Sequence, residues 1–410
     1  MQLIEEVDKL SSLISPRRDI NLPIYNWHAF KHSYSKELVD IIISNFHLSP
    51  GSWVLDPFCG GGTTLLACKD AGINAEGYDI LPFSVFLSKA KTTDFDLTDI
   101  IEQYEALKEI DFYHEISLLD IDIPLLAKAF SQEHIGLIFN VKKHINKFKK
   151  DSTKDFFKLA LLSILESASN TSKAGGFLRI VSKDITKEKI IELFFGRVVQ
   201  MINDLQQTAF NKRYIGVEIK TGLCDAREII TVKKFDAVIT SPPYPNRHDY
   251  TRIYSLELIF GDINSNDKLK QLRYNTLRSH VEAKKMYVAS DYKTPEILDA
   301  LISQVKLNGV NNIQVIAMLF GYFEDMYLTM LRMKENLKPG GKVAIVVSNV
   351  RFSGINIPVD EILGQIAADI GFKNINILIA RYRGNSAQQM KTYERSPSRE
   401  SVVTFENVYA

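Results

Sequence analysis

The stretch FDAVITSPPYPNRHDY, residues 235–250, decides how this chain reads. An apolar run of strand character stops at Ser241 and is followed by two prolines and Tyr244. Neither proline has an N–H to give to a ladder or a helix, each fixes its own φ, and each restricts the residue before it. The backbone there is stiff and its carbonyls point outward. A stiff turn at the carboxyl end of a strand is where open α/β sheets place their chemistry.

Upstream, SWVLDPFCGGGTTLLACKDAGINAEGYDI (52–80) reads as a strand over 53–55, a glycine-rich turn, a helix over 63–71 and a second strand ending at Asp79. That is half of a doubly wound mononucleotide-binding unit. Before it, Leu38, Ile41, Ile42 and Phe46 have helical spacing, and Pro50-Gly51 ends the run. Residues 95–213 carry long helical periodicity, including FFKLALLSILESAS, and are too long for a crossover, so a helical insertion is predicted. Strand patterning resumes in YIGVEIKTGLCDA and KFDAVITSPPY. A polar, basic segment spans 245–312. Past it, residues 315–352 read as a long helix, a Gly340-Gly341 stop and a buried strand; FKNINILIARYRG and ESVVTFENV read as a terminal strand pair. The predicted organisation is a cofactor-binding part over 1–94, the insertion over 95–213 as a DNA-recognition region, and a catalytic part over 214–410.

At 410 residues the chain can bury one large core or two. Its formal charge of +1 argues neither for nor against nucleic acid, so such an argument rests on local patches. Cys59, Cys68 and Cys224 make no C-x-x-C pair, which points to a reducing cytoplasm rather than a disulfide or zinc framework. The acidic amphipathic start MQLIEEVDKLSSLISPRRD is unlike a signal peptide, and no apolar run of about 18 residues is found, so a soluble protein with no membrane partner is expected. The histidines lack ligand spacing with carboxylates, and no metal is expected.

DPFCGGGTT (56–64) is not G-x-G-x-x-G, and it lacks the Lys-Ser/Thr of a phosphate loop, which excludes a triphosphate site. Its glycines allow close backbone approach, and a helix N-terminus follows. Asp56 at the strand end favours a ligand with a cationic amine. Asp79 stands where carboxylates accept from ribose hydroxyls, and Asp225 where one can accept from an adenine amino group. Singly, Asp56 and Asp79 also read as helix caps; a glycine loop between them weighs against that.

DPFCGGGTT and TSPPY resemble the cofactor and catalytic motifs of S-adenosylmethionine-dependent DNA amino-methyltransferases, which modify cytosine N4 or adenine N6. WHAFKHSYSKELV (27–39) is similar to the segment that closes over the methionine end of the cofactor, and GLCDARE (222–228) to the adenine-contacting strand end. SPPYPNRHDYTRIYSLEL continues like the cytosine-N4 branch. The resemblance covers residues 20–92, 214–258 and 315–385. It implies a Rossmann-like α/β methyltransferase with a mostly parallel sheet ending in an antiparallel pair, plus the helical insertion. It implies S-adenosyl-L-methionine bound by Lys31, Tyr34, Ser35, Asp56, Pro57, Phe58, Gly60, Gly62, Thr63, Asp79, Ile80, Asp225 and Ala226. It also implies catalysis by Ser241, Pro242, Pro243 and Tyr244, with double-stranded DNA as substrate, a cognate restriction endonuclease as candidate partner, and a bacterial or archaeal cytoplasm as setting.

The chemistry accounts for the opening stretch. An exocyclic amine conjugated to a base ring is a poor nucleophile, so it needs acceptors that draw it toward sp³ geometry. The Ser241 side chain and the Pro242 carbonyl supply them, and Tyr244 stacks on the base. The base must first be extruded from the duplex. Phosphate and groove contacts are expected from Arg247, Tyr250, Arg273, Arg278, Lys284 and Lys285; a second basic run, VKKHINKFKKDSTKDFFK (141–158), also reads as a solvated face. Trp27 and Phe30 read equally as walls of the adenine pocket or as core. Ser241 leans to cytosine N4, because adenine N6 enzymes more often carry Asp or Asn there. RNA or protein methyl transfer, and a non-enzymatic DNA-binding protein on a decayed fold, are the competing readings.

Overall fold

The computed structural model describes all residues except 115–122, 175, 210–215, 247, 262, 310–311, 385–396 and 409–410. In chain order the strands are β1 Gln2–Glu5, β2 Trp53–Asp56, β3 Asn74–Asp79, β4 Thr171–Ala174, β5 Phe177–Ile180, β6 Ile219–Leu223, β7 Phe235–Thr240, β8 Leu337–Ser348, β9 Val350–Phe352, β10 Ile355–Ile357, β11 Lys373–Arg383 and β12 Ser398–Glu406. Eight of them form one sheet in the order β1-β11-β12-β8-β7-β2-β3-β6. β6, β3, β2, β7 and β8 run parallel, and β12 lies antiparallel between β8 and β11. This is the mostly parallel sheet with an antiparallel pair that the sequence predicts.

β1 was not foreseen from the acidic N-terminus. Its four residues pair in parallel with the outer edge of β11, Leu3 opposite Ile377, so a short strand covers what would be an open edge. β2 runs one residue beyond the predicted 53–55 and so carries Asp56 at its last position; the helix after the glycine loop is Thr63–Asp70.

The central strands are apolar on both faces, as a sheet covered by helices requires. On one side, Phe235, Val238, Val343, Ile345 and Val347 pack with the long helix Gln314–Asn336 and with Ile362 and Ile366 of the helix Val359–Ile370. On the other, Val54, Ala75, Ile239 and Val346 pack under Leu38, Val39 and Ile42 of the helix Lys36–Asn45.

Between β3 and β6 lie the helices Leu97–Lys108, Pro124–Ala129, Gln132–Ile145, Asp151–Ser163 and Lys187–Ala209. They are not stacked as a separate body. Trp27, Phe83 and Leu87 on one side and Ile253, Leu256 and Phe260 after the Ser241–Tyr244 turn join their apolar faces in one core. Trp27 is fully buried there, its Nε1 donating to Asp204 at 2.9 Å, and it stands edge-on to Phe156. Trp27 is therefore a core residue rather than a wall of the cofactor pocket. The insertion also contains the antiparallel hairpin β4–β5, which helical periodicity gave no reason to expect. Among the described residues, no helix is long and apolar enough to cross a membrane.

Candidate functional site

The strand order reverses between β2 and β7: the chain leaves β2 toward β3 and β6, then returns to lay β7 on its other side. A crevice opens at the carboxyl ends of two parallel strands at such a point. Asp56 ends β2 and Thr240 ends β7, and the Thr240 hydroxyl donates to Asp56 Oδ1 at 2.6 Å. The Phe58 N–H donates to the same oxygen at 3.1 Å. Asp56 is 2% exposed, and no lysine or arginine pairs with it among the described residues. Burial pushes its carboxyl from 3.8 up to about 6, against the hydrogen bonds from Thr240, Thr64 and Phe58 that hold it down. The site thus keeps a buried carboxylate whose charge lacks a cation.

A small cleft opens beside it, lined by His32, Ser33, Tyr34, Asp56, Phe58, Cys59, Gly60, Gly61, Thr63, Thr64 and Ser241. Gly60 (φ 46°) and Gly62 (φ 77°) turn the chain in the left-handed region into the helix N-terminus. The glycines also admit the protein's own side chains. A Cβ on Gly61 would lie 2.8 Å from Phe30 Cβ, and one on Gly62 would lie 2.9 Å from Ser88 Cα. Phe30 stacks on Tyr254 with centroids 4.5 Å apart, so it acts as a prop behind the loop.

Asp79, at the end of β3, accepts from the Gly60 N–H at 3.0 Å and the Leu81 N–H at 2.9 Å. Burial raises its carboxyl to about 6 in spite of both bonds. It therefore ties the glycine loop to the end of β3. Pro57 is buried in the turn, and Ile80 is half-buried beyond Asp79.

The N-terminal segment reaches the cleft as the sequence predicts. Tyr34 Oη lies 2.5 Å from Thr64 Oγ1, and Ser33 Oγ lies 3.0 Å from Thr63 Oγ1, so two hydroxyl pairs clasp this segment to the first turn of the helix Thr63–Asp70. Ser35 is fully buried and caps the helix Lys36–Asn45, accepting from the Leu38 N–H at 3.4 Å. Lys31 is exposed and donates to the carbonyl of Lys173 in β4. His32, Ser33, Thr64, Cys59 and Gly61 line the cleft but were not singled out; they flank residues that were, and only their facing decides the matter.

Ser241 completes the cleft. Its hydroxyl lies 3.4 Å from Tyr244 Oη, Pro242 is buried, and Pro243 and Tyr244 are half-buried. Beyond them Asp249 caps a short helix at Tyr250–Ile253, accepting from the Thr251 N–H at 2.9 Å. His32 stands edge-on to Tyr250 (5.0 Å) and to His248 (5.4 Å), making an aromatic cluster at the cleft mouth. Burial, with neighbouring His248 and Lys31, lowers the His32 imidazole to about 4.

The family model described as "DNA methylase", of the N6/N4 kind, matches residues 11–89. The type II methyltransferase M.BsoBI of Geobacillus stearothermophilus is 34% identical over 99% of this chain and 90% of its own length. The chain belongs to the type II DNA amino-methyltransferases. M.AvaI of a Nostoc strain is 30% identical over 98% of this chain and 90% of its own, and M.MvaI of Kocuria varians 24% identical over 78% and 74%. Among solved structures, the rRNA methyltransferase aviRa of Streptomyces viridochromogenes aligns with a TM-score of 0.31 at 10% identity over 94% of this chain and 90% of that one, too distant to bear on function.

A DNA amino-methyltransferase of this family takes S-adenosylmethionine as methyl donor and DNA as acceptor. The residues fit a cationic donor: the Asp56 carboxylate lies in the wall of the cleft, and a positive group arriving there would offset the burial that penalises its charge.

The remaining candidates divide. Asp225, after β6, is held bidentately by Arg227 (2.9 and 2.6 Å) and accepts from Tyr287 Oη at 3.2 Å, so its carboxylate is already engaged. Ala226 is buried beside it. Arg278, expected to grip phosphate, is 8% exposed, with its guanidinium on Asp325 at 2.6 Å and Glu324 at 3.0 Å. A group committed to two carboxylates inside the fold is a structural clamp, and Arg278 is not proposed as a DNA contact. Arg273 pairs with Asp249 at 2.7 Å, and Lys285 with Glu228 at 3.1 Å. Lys284 is exposed over the Tyr274 ring at 4.4 Å. Arg247 lies outside the described residues.

Proposed function

We propose that this chain methylates the N4 amine of cytosine in duplex DNA at a fixed sequence, in the cytoplasm, as the modification half of a restriction-modification pair with a cognate endonuclease. The observation that carries the reading is that Ser241, with Tyr244 beside it, faces the same cleft as the uncompensated Asp56. Acceptor and donor sites thus share one small volume, which in-line transfer requires.

In this reading Asp56 holds the cationic end of S-adenosylmethionine, the Gly60–Gly62 turn and Thr63 receive its backbone-facing side, and Asp79 takes its ribose. When bound, the cofactor supplies an electrophilic methyl group on a sulfonium. Ser241 Oγ and the Pro242 carbonyl accept the two amine hydrogens and draw the nitrogen toward sp³ geometry. The two prolines hold both acceptors still, so little reorganisation is needed at the moment of transfer. Tyr244 keeps the extruded base in plane by stacking. The serine supports cytosine over adenine, since no carboxylate or amide stands at position 241. Lys284, exposed beside the Tyr274 ring, remains a candidate for phosphate.

Single-molecule methylation profiling of DNA from a host expressing the protein tests the reading. N4-methylcytosine at one recurrent sequence is expected. N6-methyladenine would move the assignment to adenine, and methyl transfer to RNA or protein alone in a tritium assay would overturn it.

A further inference from the structure

The hairpin β4–β5 has a buried face and a bare one. On the buried face Lys173 is 4% exposed and its ammonium meets the carboxylate of Glu257, which is 1% exposed and also takes the His28 ring at 3.0 Å. Lys173 lies over the Tyr254 ring at 4.9 Å, and its backbone N–H donates to Glu166 at 2.7 Å. A buried ion pair is costly unless its geometry is fixed, so this network holds the hairpin in one place. It anchors the hairpin to the segment that follows the catalytic turn.

That place adjoins the cleft. Gly176 packs so tightly on the His248 ring that a Cβ there would collide with it. His248 touches His32, and His32 lines the cleft with Ser241. One residue beyond Gly176, Phe177 is 51% exposed, and Arg179 lies over its ring at 5.3 Å on the same strand face. Arg179 has no carboxylate partner among the described residues. A half-bare aromatic with an unpaired guanidinium on it, two rings from the catalytic serine, is a poor arrangement in water and a good one against a nucleic acid. The ring offers a flat face to unstacked bases and the cation suits phosphate.

We propose that the outer face of β4–β5 docks on the DNA duplex at the target, Phe177 filling the stack where the base leaves and Arg179 holding the neighbouring phosphate. A two-stranded ribbon has the width to enter a major groove. This role rests on the proposed DNA methylation and would set how readily a paired base is extruded.

The test compares wild type, Phe177→Ala, Phe177→Trp and Arg179→Ala in single-turnover methylation of a duplex carrying the site found by profiling. A second duplex carries a mismatch at the target base, where extrusion is already cheap. Phe177→Ala is expected to be about tenfold slower on the paired duplex, the scale of one lost stacking contact, and close to wild type on the mismatched one. Phe177→Trp should restore the rate, and Arg179→Ala should weaken DNA binding and flatten its salt dependence by about one unit of slope. Calorimetry with S-adenosylmethionine and thermal melting should match wild type throughout, because both side chains are exposed. If wild type methylates and Phe177→Ala matches it on the paired duplex, or loses equally on both, the hairpin role falls while the activity stands. A shift in sedimentation without a rate change would make this face a protein contact and overturn the proposal. A wild type that methylates no DNA would overturn the reading beneath it.

Discussion

Asp56→Asn separates the charge of the buried cleft carboxylate from its hydrogen bonds. An asparagine Oδ1 keeps the acceptor used by Thr240 at 2.6 Å and by Phe58 at 3.1 Å, so the charge is removed while those two bonds remain, and the Thr64 hydroxyl meets an amide. The wild-type carboxyl rises from 3.8 to about 6 on folding, and the cause is burial. At about 1.4 kcal/mol per pH unit, that rise corresponds to about 3 kcal/mol of penalty for the ionised group. The sign follows from which state binds the proton more tightly. Below 3.8 the acid is neutral both folded and unfolded and costs nothing; as pH rises from 3.8 through about 6 the unfolded chain releases a proton that the folded one still holds, and that stability is lost, fully so above about 6. In the absence of cofactor, Asp56→Asn should therefore be more stable than wild type at pH 7.5 by about 1–3 kcal/mol, and the gap should close as pH falls toward 4. Urea unfolding at pH 7.5 and pH 4.5 measures it. With S-adenosylmethionine the gap should narrow, since only the carboxylate gains a cationic partner, and calorimetry should show affinity lost by at least tenfold, or about 1.4 kcal/mol. An Asp56→Asn protein that is less stable than wild type by the same amount at both pH values would refute the reasoning. It would make the carboxylate a structural acceptor.

Ser241→Ala should lose single-turnover methylation while keeping cofactor and DNA affinity; a wild-type rate would end the proposed amine activation. Tyr244→Ala should lose about 1–3 kcal/mol of extruded-base binding, read with 2-aminopurine at the target, with cofactor affinity unchanged. Arg278→Ala should lower unfolding stability by about 1–3 kcal/mol, because Asp325 and Glu324 lose a buried donor, and leave the salt dependence of DNA binding alone. Lys284→Ala should do the opposite, lowering that slope by about one unit without changing stability. Gly61→Ala should cost about 1–3 kcal/mol of stability by overpacking Phe30, read by thermal melting.

The elements that position the chemistry were legible because short-range backbone physics writes them. Two prolines after a strand, and glycines between Asp56 and a helix, restrict the chain wherever they stand, so the β2 and β7 ends, the antiparallel pair β11–β12 and the Ser241–Tyr244 turn were readable before any tertiary contact was known. Phe30, Trp27, Arg278 and Asp225 were ambiguous for the opposite reason. Each role depends on a partner remote in sequence or on which way a neighbour faces: Trp27 on Asp204, Arg278 on Asp325, Asp225 on Tyr287. Basic periodicity cannot tell a cation facing water from one facing a buried carboxylate, because the two sequences look alike until the fold supplies the carboxylate. The hairpin β4–β5 was hidden by the same logic, as a short non-helical interlude within a long helical pattern. Its place beside the cleft comes from Lys173 meeting Glu257, 84 positions away along the chain, and from the missing side chain of Gly176 against His248. The sequence determined where the cleft is; only the packing of distant segments decided what stands at its mouth.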